Sequence, residues 1–201
     1  MFAGIGPASL VILAVNIGLG LIALGNPALI QRLVFRPYEF ARGRNRHTIV
    51  TSAFAHADVA HLLFNMVTFY YFGATLLEWR IGTPKFVVLY VAGLLASELG
   101  TYLKHRNNPD YATLGASGAI SAVLFAAIVY FPTMNLYLFF ALPIPAVLFA
   151  VGYLAYSWWS AKQNRGHINH DAHFGGALAG LVFVAVTDPA AWVRAAHRLF
   201  G

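Results

Sequence analysis

Six long apolar stretches, each nearly free of charge, constrain this chain more than anything else in it. They run from about Ala8 to Leu24, Ala60 to Leu77, Phe86 to Leu103, Ser117 to Pro132, Met134 to Trp159 and Ala172 to Thr187. A membrane-crossing helix needs roughly 17–25 such residues at about 1.5 Å each. The fourth and sixth stand at the short end of that range, and their starts carry polar residues. Hydrophobic residues make up 59% of the chain and charged residues 10%, well under the roughly one quarter usual in soluble domains. The expected fold is therefore all-α, a polytopic membrane bundle of six transmembrane helices forming a single domain over residues 1–201.

The connections fit that picture. Asn26 to Ala55 mixes Arg32, Arg36, Arg42, Arg44 and Arg46 with Leu33, Val34, Phe35, Tyr38 and Phe40, the composition of an interfacial, partly helical segment. The tail at about 189–200 sets Trp192, Leu199 and Phe200 against Arg194, His197 and Arg198 and reads as a second interfacial helix. A net charge of +6 raises the question of nucleic acid, but the basic residues lie in short runs between apolar stretches. Lipid headgroups match that spacing, and no nucleic-acid partner is expected. With no cysteine, neither disulfides nor thiolate metal sites can form. The first basic residue is Arg32, so the leading apolar run lacks the charged start of a cleaved signal and reads as a retained helix.

Among the polar residues of the apolar stretches five stand out: His61 and Asn65 in the second, Ser117 and Ser121 in the fourth, His173 in the sixth, while Glu78 and Glu98 lie near segment ends. Such groups are costly in lipid and mark function by default. In an alternating bundle the second, fourth and sixth helices run the same way. His61, Asn65, Ser117 and His173 all fall within about two turns of those helices' starts, which places them together at a depth of roughly 5–10 Å.

The residue types suit acyl transfer. Ser117 lies in Gly115-Ala116-Ser117-Gly118, a small-residue turn that exposes a hydroxyl and leaves room for a substrate backbone. The free N–H groups of the helix start favour a developing oxyanion there. A serine needs a neighbouring base, and His173 is the available one. Gly176 and Gly180 form a GxxxG face shared with His173, and Gly118, Ala122 and Ala126 form a matching stripe. Two small faces let helix backbones approach closely in lipid. His61 and Asn65, four residues apart, share a helix face and offer two donors for an oxyanion hole, behind Asp58 as N-cap. Asp171 lies two residues from His173 on another face of the helix, so a dyad is expected and not a triad.

Each feature also has a plainer reading. A lone GxSG is a common helix start, a membrane histidine can serve as a proton relay or a satisfied core group, and GxxxG is usually packing. His56 and His61 are five apart, poor spacing for a shared metal on a helix, so no metal and no cofactor is expected. Glu78 reads as fixing a loop near a helix end, and His167 and His170 as solvated. What outweighs the plain readings is the joint placement on three co-directional helices.

Taken together, the residues resemble the rhomboid family. His56-Ala-Asp-Val-Ala-His61-Leu-Leu-Phe-Asn65 resembles its HxxxxHxxxN stretch, Gly115-Ala116-Ser117-Gly118 its GxSG motif and Ala172-His173-Phe174-Gly175-Gly176 its AHxGG motif. Phe72-Gly73 followed by Glu78 is similar to a pattern of its second helix. The form resembled is the basic six-helix bacterial one, which implies a bacterial inner membrane. The resemblance implies intramembrane serine proteolysis: Ser117 attacks, His173 acts as base and acid, and His61, Asn65 and the Ser117 N–H hold the oxyanion. It further implies single-pass membrane substrates cut near the outer end of their helix. The fifth helix, kinked by Pro143 and Pro145, would form a gate, with Lys162 to Asp171 as a cap. Family members commonly carry an aromatic one turn after the nucleophile, stacked on the histidine. Here that position is Ser121, leaving Phe174 or Tyr153 to take the role.

The resemblance puts the N-terminus inside. Four of the 13 Lys and Arg residues (Arg80, Lys85, Arg194, Arg198) then lie in inside loops and the other nine outside, whereas the positive-inside rule favours the reverse. Two rival functions stand beside the protease. A catalytically silent rhomboid-like protein would bind membrane clients without cutting them. A small transporter would show a polar path through the midplane and internal repeats, and the polar residues here stay at one end.

Overall fold

The computed structural model describes residues 4–138, 141–163 and 169–201. Part of the expected cap over Lys162 to Asp171, including His167, lies outside the described residues. Helices occupy at least part of each of the six apolar stretches: α1 (Pro7–Leu24), α5 (Val59–Phe69), α7 (Thr83–His105), α8 (Ser117–Tyr130), α9 (Ala146–Gln163) and α10 (His170–Thr187). Beyond α5 the helix continues as a π-helical stretch, Tyr70–Leu77, into α6 (Glu78–Ile81). Among the described residues, three helices have the length and composition of a full crossing: Pro7–Leu24, Val59–Ile81 and Thr83–His105. The apolar helices within α8 and α9 are shorter. α10 and α11 (Ala190–Phe200) together carry the apolar length of a crossing but are bent by 107° at their junction.

The helix starts follow from local chemistry. α1 opens with Pro7, whose missing N–H is no loss at that position. Its next two N–H groups are taken by a distant carboxylate: Ala8 N donates to Glu78 Oε1 (3.0 Å) and Ser9 N to Glu78 Oε2 (2.8 Å). Thr83 Oγ1 donates to the same carboxylate at 2.8 Å, so Glu78 ties the α6–α7 turn to α1, a firmer role than loop fixing alone. Asp58 caps α5, accepting from His61 N at 2.7 Å. Asn169 caps α10, accepting from Ala172 N at 3.0 Å.

At the centre stands α8, buried on every side from Gly118 through Tyr130, as a helix apolar all round must be. It packs on α7 and α10 through small residues. A Cβ at Gly176 would overlap the carbonyl oxygen of Gly118, one at Gly180 that of Ala122, and one at Gly118 the Ser97 side chain. Phe69, Phe86, Leu89, Ile120 and Val123 fill the core on one side of α8, and Phe125, Leu136 and Ala146 on the other.

Residues 26–55 fold into short helices α2 (Pro27–Leu33), α3 (Pro37–Ala41) and α4 (Thr48–Thr51), followed by a 3-10 turn at Ser52–Phe54. This segment is pinned to the stretch before α8. Phe35 and Thr113 exchange backbone hydrogen bonds at 2.9 and 3.0 Å, and Gly115 N donates to Ser52 O at 2.9 Å.

One expectation is corrected. The fifth apolar stretch does not begin as a helix at Met134: β1 (Asn135–Leu138) pairs antiparallel with β2 (Leu142–Pro145), and α9 starts only at Ala146. Pro143 and Pro145 therefore lie in β2 and kink no helix. Each proline excludes its predecessor from helical backbone angles, so Leu142 and Ile144 are held extended. The missing N–H groups are tolerated because a two-stranded sheet is all edge.

Candidate active site

The three helix starts deliver their polar residues to one point. His173 Nε2 lies 2.7 Å from Ser117 Oγ, within hydrogen-bond range. Both residues are half-buried. Ser117 is the first residue of α8, where backbone N–H groups have no acceptor within the helix. Gly115, two residues earlier, has φ +114°, a conformation that favours glycine.

Gly115 also opens space for the two other predicted residues. A methyl group there would stand 3.0 Å from His61 Nε2 and 3.9 Å from Asn65 Nδ2. Ala57 N donates to His61 Nδ1 at 3.4 Å, which assigns the proton to Nε2 and makes that atom a donor. Asn65 is buried, and its Nδ2 has no hydrogen-bond partner among the described residues. Two unspent donors thus border the side-chain-free space beside the Ser117 turn. A tetrahedral oxyanion formed on Ser117 would need donors placed in this way.

His56 supports this arrangement from behind. It is fully buried and meets the His61 ring edge-on at 5.1 Å. Burial first, and then the His61 imidazole, push its pKa down to about 4, so it is neutral at neutral pH.

The structure separates Asp171 from His173. Its carboxylate accepts from Lys104 Nζ at 2.9 Å and lies 3.4 Å from His105 Nε2, tying the start of α10 to the end of α7. His105 in turn stacks on Tyr111 at 3.6 Å. Asn169 strengthens the same junction, donating to Thr101 Oγ1 (2.9 Å) and Thr113 Oγ1 (3.0 Å). The sequence reading missed Asn169, although a capping residue directly before a helix was there to be read. It also misplaced His170, expected to be solvated. His170 is buried in the first turn of α10, edge-on to Tyr156 (5.2 Å) and to His173 (6.2 Å).

Of the two aromatics offered in place of one at position 121, Tyr153 on α9 stacks on His173, with ring centroids 6.2 Å apart and planes 23° apart. Ser121 Oγ lies 3.3 Å from the Tyr153 hydroxyl.

Comparison with known proteins shows the family to which the chain is similar. A family model described as the Rhomboid domain matches residues 43–189. RHOMBOID-like protein 12, mitochondrial, of Arabidopsis thaliana is 31% identical over 77% of this chain and 48% of its own length. Rhomboid protein 1, mitochondrial, of Saccharomyces cerevisiae is 32% identical over 68% of this chain and 40% of its own. The Presenilin-associated rhomboid-like protein, mitochondrial, of Homo sapiens is 28% identical over 72% and 38%. The chain thus spans half or less of the length of these relatives. Their names place them in mitochondria, in contrast to the bacterial membrane expected from the sequence.

Proposed function

Because the chain belongs to the rhomboid family and is a multi-pass helical membrane protein, we propose that it is an intramembrane serine endopeptidase. Its substrates are single-pass membrane proteins, cut near the end of the bilayer where α5, α8 and α10 begin. The observation that carries this reading is the 2.7 Å contact between Ser117 Oγ and His173 Nε2 at the start of a buried helix.

The chemistry proceeds in two halves. Ser117 Oγ attacks the scissile carbonyl carbon while His173 Nε2 takes the hydroxyl proton. Negative charge gathers on the carbonyl oxygen, where His61 Nε2–H, Asn65 Nδ2–H and the Ser117 N–H donate to it. The tetrahedral species collapses, His173 returns the proton to the leaving amine, and an ester on Ser117 remains. Water then repeats the sequence against the ester, with His173 again as base, and restores the free serine. No carboxylate contacts His173 among the described residues, so the imidazolium formed midway has no ion-pair partner there. The compartment proposed is a bacterial inner membrane; the mitochondrial names describe the relatives.

The test is cleavage of a panel of tagged single-pass substrates in proteoliposomes, with Ser117→Ala and His173→Ala beside the wild type. Cleavage by the wild type alone supports the reading. Binding of the same substrates without cleavage by any of the three would move the assignment to a silent client-binding protein.

A further inference from the structure

We infer that Tyr153, carried on α9, is the residue that holds the His173 imidazole in line with Ser117, and that Ser121 is small so that Tyr153 can reach it. The inference rests on the hydrolase reading above. A catalytic imidazole must be kept from swinging about its side-chain torsions, and in a triad a carboxylate does this. Here Asp171 is engaged with Lys104 and His105, so the restraint on His173 has to come from its ring faces and edges.

The structure supplies that restraint. One face of His173 meets Tyr153 at 6.2 Å and 23°, and the His170 ring stands across it at 6.2 Å and 83°. Offset stacking and edge-to-face contacts at such separations are favourable for aromatic rings. Tyr153 is itself fixed from three directions. It stacks on Phe149 (5.5 Å, 27°), leans on the buried Phe125 of α8 (5.5 Å, 46°), and its hydroxyl lies 3.3 Å from Ser121 Oγ. Ser121 is one helical turn beyond Ser117, so positions 121 and 153 look into the same space from two helices. A large side chain at 121 would occupy the place Tyr153 now holds.

A consequence follows for motion. Ser117 and His173 sit on α8 and α10, whose glycine contacts leave no slack, but the ring that aligns His173 rides on α9. That helix exposes Leu148, Val151, Trp158 and Trp159 on its outer side. Displacing α9 removes the stacking ring without moving either dyad residue's backbone, so the dyad is in line only while α9 is docked.

The test moves the aromatic from one helix to the other in the full chain in proteoliposomes. It reads both substrate kinetics and the rate at which a fluorophosphonate labels Ser117. Tyr153→Leu should slow labelling and kcat by about 10-fold or more with KM nearly unchanged, since alignment of a general base is lost and not binding. Tyr153→Phe, which keeps the ring, should stay within roughly threefold of wild type, and adding Ser121→Phe to Tyr153→Leu should restore most of the lost rate. A merely structural Tyr153 would instead lower the thermal midpoint and gain nothing from the transplant. If Tyr153→Leu fails to fold, Tyr153→Met, of similar bulk without an aromatic face, is read in its place. Unchanged labelling in the non-aromatic variant, or a well-folded double variant with no recovery, overturns the inference and leaves the hydrolase reading standing. A wild type that neither cleaves nor labels overturns both.

Discussion

Replacing Gly176 with alanine tests how the dyad is assembled. The added methyl would overlap the Gly118 carbonyl oxygen on α8, and a packed interior has no free volume to absorb it. Relieving the overlap requires α8 and α10 to separate by on the order of 1 Å. His173 lies one turn before Gly176 on the same helix face, so the separation is passed on to the dyad. The Ser117–His173 contact would then lengthen from 2.7 Å to about 3.7 Å, beyond the range of a working hydrogen bond. Loss of general-base assistance lowers the rate by roughly 10²–10⁴-fold, while overpacking destabilises by only about 1–3 kcal/mol. Activity should therefore collapse in protein that still folds. The controls are Gly18→Ala and Gly152→Ala, where a Cβ meets nothing within 4 Å and both activity and stability should hold. The assay is fluorophosphonate labelling of Ser117 beside a thermal unfolding curve. A Gly176→Ala protein that labels at the wild-type rate would refute the argument that close α8–α10 contact sets the dyad distance.

Three further outcomes follow from the same geometry. Removing either oxyanion donor, His61→Ala or Asn65→Ala, should lower kcat by roughly 10²–10³-fold with little change in KM, read by substrate cleavage. Glu78→Gln weakens the bonds to Ala8 N, Ser9 N and Thr83 Oγ1 at the end away from the dyad. It should cost about 1–3 kcal/mol of stability and leave the specific activity of folded protein unchanged. His56, held at about 4 by burial and His61, protonates near 6.5 when unfolded. Below pH 6.5 the unfolded chain binds the proton that the folded chain refuses, so this group's contribution falls between pH 6.5 and 4 by up to about 3 kcal/mol. Unfolding midpoints measured from pH 7.5 to 4.5 should fall accordingly, and less steeply in His56→Asn.

Much of the site was readable because membrane burial makes polar residues conspicuous. His61, Asn65, Ser117 and His173 stood out in apolar stretches, and the alternation of helix direction alone brings their ends together. The glycine faces were readable for a related reason: close backbone approach demands a missing side chain, and Gly118, Gly176 and Gly180 announce it by spacing. What was hidden depends on partners far away in the chain. An apolar run such as Met134 to Pro145 has no period that separates strand from buried helix, and only the Pro143 and Pro145 pair carried the signal. His170 looked like a loop residue because its burial is created by Tyr156 and His173. Asp58 and Asn169 show the other side of this: capping is local, and both caps lie directly ahead of the helices they serve.

The central claim is that Ser117 is a nucleophile activated by His173, and covalent labelling tests it without any assumption about substrate. Wild type, Ser117→Ala and His173→Ala proteins in proteoliposomes would be treated with a fluorophosphonate, and the modified peptide located by mass spectrometry. The account predicts a single adduct on Ser117 in the wild type, none in Ser117→Ala and labelling slowed by at least about 100-fold in His173→Ala. A wild type left unlabelled, or one labelled equally well without His173, would contradict it.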